Sequence, residues 1–85
     1  MNETMSILKN DEFEYQIRFW LMGEPDSSYD TVLMSYYEMD QITQRLQSLK
    51  MEDFISLPMM NQDGLIIHYS RHAICTYRVL RSAKQ

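Results

Sequence analysis

The side chains best suited to binding a metal ion are His68, His72 and Cys75, which follow one another at intervals of four and three residues. Imidazole and thiolate are both ligands that zinc accepts. The segment is typical of strand, turn and strand, so His68 and His72 do not share a helical face as ligands at i and i+4 do. A fourth ligand is missing nearby, unless Asp63 or another chain provides it. We therefore expect no metal or other cofactor, with His68 on a sheet surface, His72 in a turn and Cys75 as a small core residue.

Catalytic patterns are also missing from the sequence. A nucleophilic thiolate needs a partly exposed, electropositive pocket, whereas Cys75 lies within an apolar strand segment. Ser70 is close to His72 but has no G-x-S-x-G turn around it. The chain's two glycines, Gly23 and Gly64, cannot build a phosphate-binding loop or a dinucleotide-binding turn. We predict that the protein is not an enzyme.

Basic residues are concentrated at the end of the chain. Residues 65–85 contain four of the eight Lys and Arg residues and no acid, whereas residues 1–64 contain all twelve acids. Arginines could meet phosphates while a tyrosine stacks on a base, so a nucleic-acid-binding regulator is the alternative function. Its residues would be Arg71, Tyr77, Arg78 and Arg81. An isoelectric point near 4.9 opposes this interpretation, because nucleic-acid-binding domains are usually basic.

The first half of the chain carries the clearest secondary-structure signals. Residues 13–21 alternate between apolar and polar side chains, which is the period of a strand with one buried face. Ser35-Tyr36-Tyr37-Glu38 is a capping box, so a helix should begin there. Apolar residues then recur at helical spacing and form one stripe that can pack on a sheet. These residues are Met39, Ile42, Leu46 and Leu49.

Turn-forming residues divide the remaining sequence into further strands. We expect them over 31–34, 54–60, 65–69 and 73–80, and we expect residues 1–10 and 82–85 to fray. The prediction is a single small α+β domain spanning residues 1–85. Its order is β-β-α-β-β-β, with a mainly antiparallel sheet of four to five strands and one helix packed on one face.

This order has a cap serine directly after the second strand and a final strand with the sequence HAICTYRVL. It resembles a layout found among small uncharacterised proteins of Gram-positive bacteria and their phages, over most of residues 13–80. The resemblance implies a kind of protein rather than an activity.

Features that would direct the chain to another compartment are missing from the sequence. One cysteine cannot form an internal disulfide, which favours a reducing environment. The first residues do not resemble a signal peptide, and no run of 18 apolar residues occurs. We expect a cytoplasmic protein without a membrane partner.

The segment Arg18–Met22, with the sequence RFWLM, places large apolar groups on both faces of the first strand. One helix covers one face, so Trp20 and Met22 lie on the other. Either residues 5–8 fold back over Trp20, or a partner covers it. Trp, Met and Arg are enriched in the cores of protein interfaces. The leading hypothesis is a non-enzymatic protein–protein interaction module, homodimeric, whose contact includes Arg18, Trp20 and Met22.

Overall fold

The computed structural model describes residues 12–84, which form five strands and one long helix. The strands are β1 (Phe13–Leu21), β2 (Ser28–Asp30), β3 (Phe54–Pro58), β4 (Ile66–Ser70) and β5 (Ile74–Ala83), and the helix α1 (Tyr36–Ser48) follows β2. Single 3₁₀ turns lie at Met60–Gln62 and Arg71–Ala73. The α+β class and the order β-β-α-β-β-β are therefore confirmed. The fraying predicted for residues 1–10 lies outside the described residues.

The strands form two antiparallel sheets, one in the order β2-β1-β5 and one of β3 and β4. The prediction of a single sheet of four to five strands was therefore wrong. The backbone after β2 forms hydrogen bonds to both sheets. The Thr31 N–H bonds to the Ile17 carbonyl in β1, whereas the Val32 N–H bonds to the Pro58 carbonyl in β3. An isolated bridge between Thr31 and Met59 is the contact at which the two sheets meet.

The four strands after β1 differ from their predicted bounds, and the largest differences, at β2 and β5, have identifiable reasons. The second strand was expected over residues 31–34, but β2 pairs with β1 over Ser28–Asp30, and Tyr29 stacks on Phe19 with ring centroids 5.9 Å apart. β5 continues to Ala83, three residues further than expected, because its whole length pairs with β1. A backbone hydrogen bond from Lys84 to Glu12 continues this ladder.

The helix begins and packs as the sequence predicts. The Ser35 hydroxyl accepts a hydrogen bond from the Glu38 N–H at 3.2 Å, and the Glu38 carboxylate accepts one from the Ser35 N–H at 3.1 Å. The buried face of α1 lies against the odd-numbered side chains of β1 and those of β3. Buried there are Tyr15, Ile17, Phe19, Met39, Leu46, Ile55, Leu57 and Met59. Neither α1 nor any other helix within residues 12–84 has the length and apolarity needed to cross a membrane.

Candidate interaction surface around Trp20

Trp20 lies on the face of the three-stranded sheet that α1 does not cover. Because side chains alternate along a strand, the buried residues Ile17 and Phe19 point towards α1 and Trp20 points away. Its neighbours across the strands are Ser28 on β2 and Thr76 on β5. The indole is half-buried, and Met22 is 56% exposed. The alternative cover for Trp20, residues 5–8, lies outside the described residues.

A β-bulge shapes this end of the sheet into a concavity. Trp20 pairs with Thr76, but Leu21 pairs with Ile74, so Cys75 is an extra residue in β5. Bulges bend a strand and increase its local twist. The resulting concavity has a volume of about 590 Å³. Its walls include Trp20, Met22, Pro25, Cys75, Thr76 and Arg78, which we call the Trp20 surface.

The cation on the Trp20 surface is Arg78, whereas Arg18 is paired within the sheet. Arg18 donates two hydrogen bonds to the cross-strand carboxylate of Asp30, from Nε at 2.8 Å and from Nη2 at 3.0 Å. These bonds, and then the charge of Asp30, raise the pKa of Arg18. The Arg78 guanidinium lies 5.8 Å from the centre of the Trp20 ring. Arg18 therefore fixes the pairing of β1 and β2, and Arg78 supplies a cation next to the indole.

The residues of the nucleic-acid hypothesis do not come together on one surface. Arg71 donates hydrogen bonds to the carbonyls of Leu46 at 2.8 Å and Ile74 at 3.0 Å, which holds the end of α1 against β5. Arg78 lies on the Trp20 face of β5, whereas Tyr77 and Arg81 alternate to the other face. The four predicted residues thus occupy three different places.

His68, His72 and Cys75 also lie apart. His68 is exposed on β4, where its Nδ1 is 2.7 Å from the Ser56 hydroxyl, and His72 lies in the turn before β5, both as predicted. Cys75 is exposed, so its prediction as a core residue was wrong, because it occupies the bulge of an edge strand. Within residues 12–84, no group of three or more His, Cys, Asp or Glu residues could hold a metal ion.

The outer face of the β3–β4 sheet carries a second set of exposed apolar residues that the sequence reasoning missed. Phe54 and Ile66 are both more than half exposed there. They lie at opposite ends of the pairing between the two strands, with Ser56 and His68 between them. This separation distinguishes them from Trp20, Met22 and Arg78, which share one concavity.

Arg78 could have been assigned to the Trp20 surface only from the register between β1 and β5. The alternating pattern of residues 13–21 places Trp20 on the uncovered face, but it does not say which residue lies opposite. The missed signal is the antiparallel pairing of two segments more than fifty residues apart, in which Arg18 faces Arg78. Comparisons of the chain with protein families, with curated proteins and with solved structures find no match.

Proposed function

We propose that this protein is a small non-enzymatic interaction module that associates with a second copy of itself, and that the Trp20 surface belongs to the contact. The observation that carries the proposal is the position of Trp20 on the sheet face opposite α1, beside a concavity of about 590 Å³. An indole, a methionine and an arginine meet there. These are residue types that dominate the energetics of protein interfaces.

The chemistry of the Trp20 surface supports a protein partner. Its walls are apolar side chains with Thr76 and Arg78 at one side, a composition that favours burial against another protein surface over recognition of a charged ligand. Met22 adds a flexible side chain that can adapt to the shape of a partner. Association would remove Trp20 and Met22 from water, which contributes roughly 25 cal/mol for each Å² of apolar surface buried.

The shape of the chain supports self-association. Its radius of gyration is 13.9 Å, whereas a compact domain of this length has about 12 Å. The β1–β5 ladder runs from Phe13 to Leu21, whereas α1 packs mainly on β1. Within residues 12–84, no helix packs on the Trp20 face of this ladder, and a second copy can cover such a face because twofold dimers are the commonest oligomers.

The test compares the solution mass of the wild type with that of Trp20→Thr, measured by size-exclusion chromatography with light scattering over a range of concentrations. Thr keeps a strand-favouring residue while removing the indole. The wild type should approach twice the monomer mass of 10.2 kDa. The dissociation constant of the Trp20→Thr dimer should be at least tenfold higher than that of the wild type.

Phe54→Thr is the matched control, because it removes an exposed aromatic side chain from a strand of the other sheet. It should keep the wild-type mass at every concentration. Far-UV circular dichroism of all three proteins verifies that each is folded. A wild type that stays monomeric at millimolar concentration, or a Phe54→Thr variant that dissociates as readily as Trp20→Thr, would contradict the proposal.

A further inference from the structure

The outer edge of β5 is a long backbone edge without a partner among the described residues. In the order β2-β1-β5, β5 is terminal and pairs only with β1. It is the longest strand of the described chain, and most of its residues are exposed. Such an edge presents unpaired N–H and C=O groups that can bond to another strand.

The hydrogen bonds of β1 identify which residues carry these groups. The Lys84 N–H bonds to the Glu12 carbonyl across the β1–β5 ladder. Because bonding directions alternate along an antiparallel strand, the even-numbered residues of β5 bond to β1, and the odd-numbered residues of 77–83 point outwards. The hydrogen bonds on the other side of β1 follow the same alternation. There the odd-numbered Tyr15 exchanges two backbone hydrogen bonds with Met34, so the even-numbered residues of β1 bond to β5. The outward N–H and C=O groups therefore belong to alternate residues from Tyr77 to Ala83.

The usual protections of an edge strand are missing from this part of β5. Natural edges carry prolines, bulges or charges that block a second strand. Residues 76–83 contain no proline, and their register with β1 is regular. The two arginines lean away from the edge: Arg78 lies over Trp20, and the Arg81 guanidinium is 4.3 Å from the centre of the Phe13 ring, both on β1.

We propose that this edge pairs with the same edge of a second copy, antiparallel and about a twofold axis at Val79; the inference rests on the proposed self-association. In this register Val79 faces Val79 of the other copy, Tyr77 faces Arg81, and Arg78 faces Leu80. No two like charges lie directly opposite each other, and an arginine lies next to a tyrosine. The two Arg78 side chains lie diagonally, each held over its own indole.

Alternative registers are less favourable for identifiable reasons. Side chains that face each other must lie on the same side of the sheet, so the register is defined by the residue at the twofold axis. An axis at Arg78 gives an overlap of equal length, but it places two arginines opposite each other. Axes at Leu80 or later, and axes at Tyr77 or earlier, shorten the overlap within Ile74–Ala83. Val79, which is 40% exposed, is therefore the centre that the sequence of β5 favours.

This arrangement connects the edge with the Trp20 surface. With the axis at Val79, the other copy's Ser82 and Ala83 lie beside Thr76 and Cys75, which form one wall of the Trp20 surface. The two three-stranded sheets become one continuous sheet, and a Trp20 surface lies at each end of the shared edge. The interface is symmetric, as a closed dimer requires.

A charge exchange at residue 79 tests the register. Val79→Glu alone and Val79→Lys alone place like charges on the axis, and each should be monomeric where the wild type is dimeric. An equimolar mixture pairs Glu with Lys and should recover about twice the 10.2 kDa monomer mass. Ile66→Glu and Ile66→Lys, at an exposed residue on β4, are matched controls that should keep the wild-type mass alone and mixed.

Cross-linking provides a second measurement that does not depend on introduced charges. Residues that face each other in a bonded antiparallel pair have Cα atoms about 5.5 Å apart, within the range of a disulfide. Val79→Cys in a Cys75→Ser background should therefore form a covalent dimer on mild oxidation. Tyr77→Cys in the same background faces Arg81 instead of itself and should cross-link at least tenfold less.

The outcomes separate this inference from the proposed function. Recovery of the dimer in the Glu and Lys mixture, with selective cross-linking at residue 79, supports the edge pairing. A mixture that stays monomeric, or equal cross-linking at residues 77 and 79, overturns it even if Trp20→Thr weakens association. A monomeric wild type overturns both proposals.

Discussion

Thr31 offers the sharpest test of how the two sheets are joined. It is fully buried, its hydroxyl accepts a hydrogen bond from the Ile17 N–H at 2.9 Å, and its own N–H bonds to the Ile17 carbonyl. Its bridge to Met59 links β1 to the second sheet. Thr31→Val exchanges the hydroxyl for a methyl group of the same shape, so the packing is kept. The bond from the Ile17 N–H and the bond that the hydroxyl donates to the Val32 carbonyl at 3.2 Å are both removed.

The expected loss of stability in Thr31→Val follows from the Ile17 N–H, which is left without its hydrogen-bond acceptor. A buried N–H left without a partner costs about 1 to 3 kcal/mol, and the added methyl group returns about 0.8 kcal/mol. Thr31→Val should therefore lower the free energy of unfolding by roughly 0.2 to 2 kcal/mol. For a domain of this size, this lowers the melting temperature by roughly 1 to 15 °C. Thr31→Ser keeps the acceptor and should lose about 1 kcal/mol for the missing methyl group.

The sign of the Thr31→Val effect decides between hydrogen bonding and packing as the source of stability. If packing alone mattered, Val would equal or exceed Thr, because it is more apolar and strand-favouring. The assay is urea denaturation followed by far-UV circular dichroism at one fixed protein concentration, since self-association would make the midpoint concentration-dependent. A Thr31→Val variant as stable as the wild type would refute the role given to the Ile17 bond.

Two further predictions concern the partly buried side chains of Arg71 and Tyr69. Arg71→Ala should lower the free energy of unfolding by about 2 to 4 kcal/mol, because bonds from a charged donor to the carbonyls of Leu46 and Ile74 are lost. Arg71→Lys should recover only part of the lost free energy of unfolding, measured by urea denaturation. A loss of oligonucleotide binding in Arg71→Ala without any loss of stability would contradict the structural role of Arg71. Burial raises the pKa of Tyr69, so its contribution to stability is complete below the unfolded pKa near 10 and is lost as the pH rises further. The urea midpoint should fall less between pH 8 and pH 10.5 for Tyr69→Phe than for the wild type. Equal falls in the two proteins would contradict the assignment of this pH dependence to Tyr69.

β1 and α1 could be predicted because each carries its signal within one short segment. The period-two pattern of residues 13–21 and the capping box at Ser35 are local, and the structure confirms both. The division into two sheets could not be predicted, because it depends on whether the backbone at Thr31 and Val32 bonds to β1 or to β3. That choice is made by packing between distant segments.

The candidate site follows the same distinction between local and distant information. The position of Trp20 on the uncovered face comes from the pattern of β1 alone. The stacking of Arg78 on Trp20 requires the register with β5, and the exposure of Cys75 requires the bulge, neither of which a single segment encodes. Arg78, which the sequence analysis assigned to nucleic-acid binding, therefore lies on the Trp20 surface.

Both proposals depend on one feature of the fold, which is that β5 extends beyond the area that α1 covers. α1 packs mainly on β1, so β5 is exposed on much of both faces and, among the described residues, along its outer edge. A strand in this position is held chiefly by its single ladder with β1. Pairing with a second copy would give β5 a ladder on each side and would place the Trp20 surfaces beside the new edge contact. Under both proposals, a second copy would supply a partner for the outer edge of β5, which has none among residues 12–84.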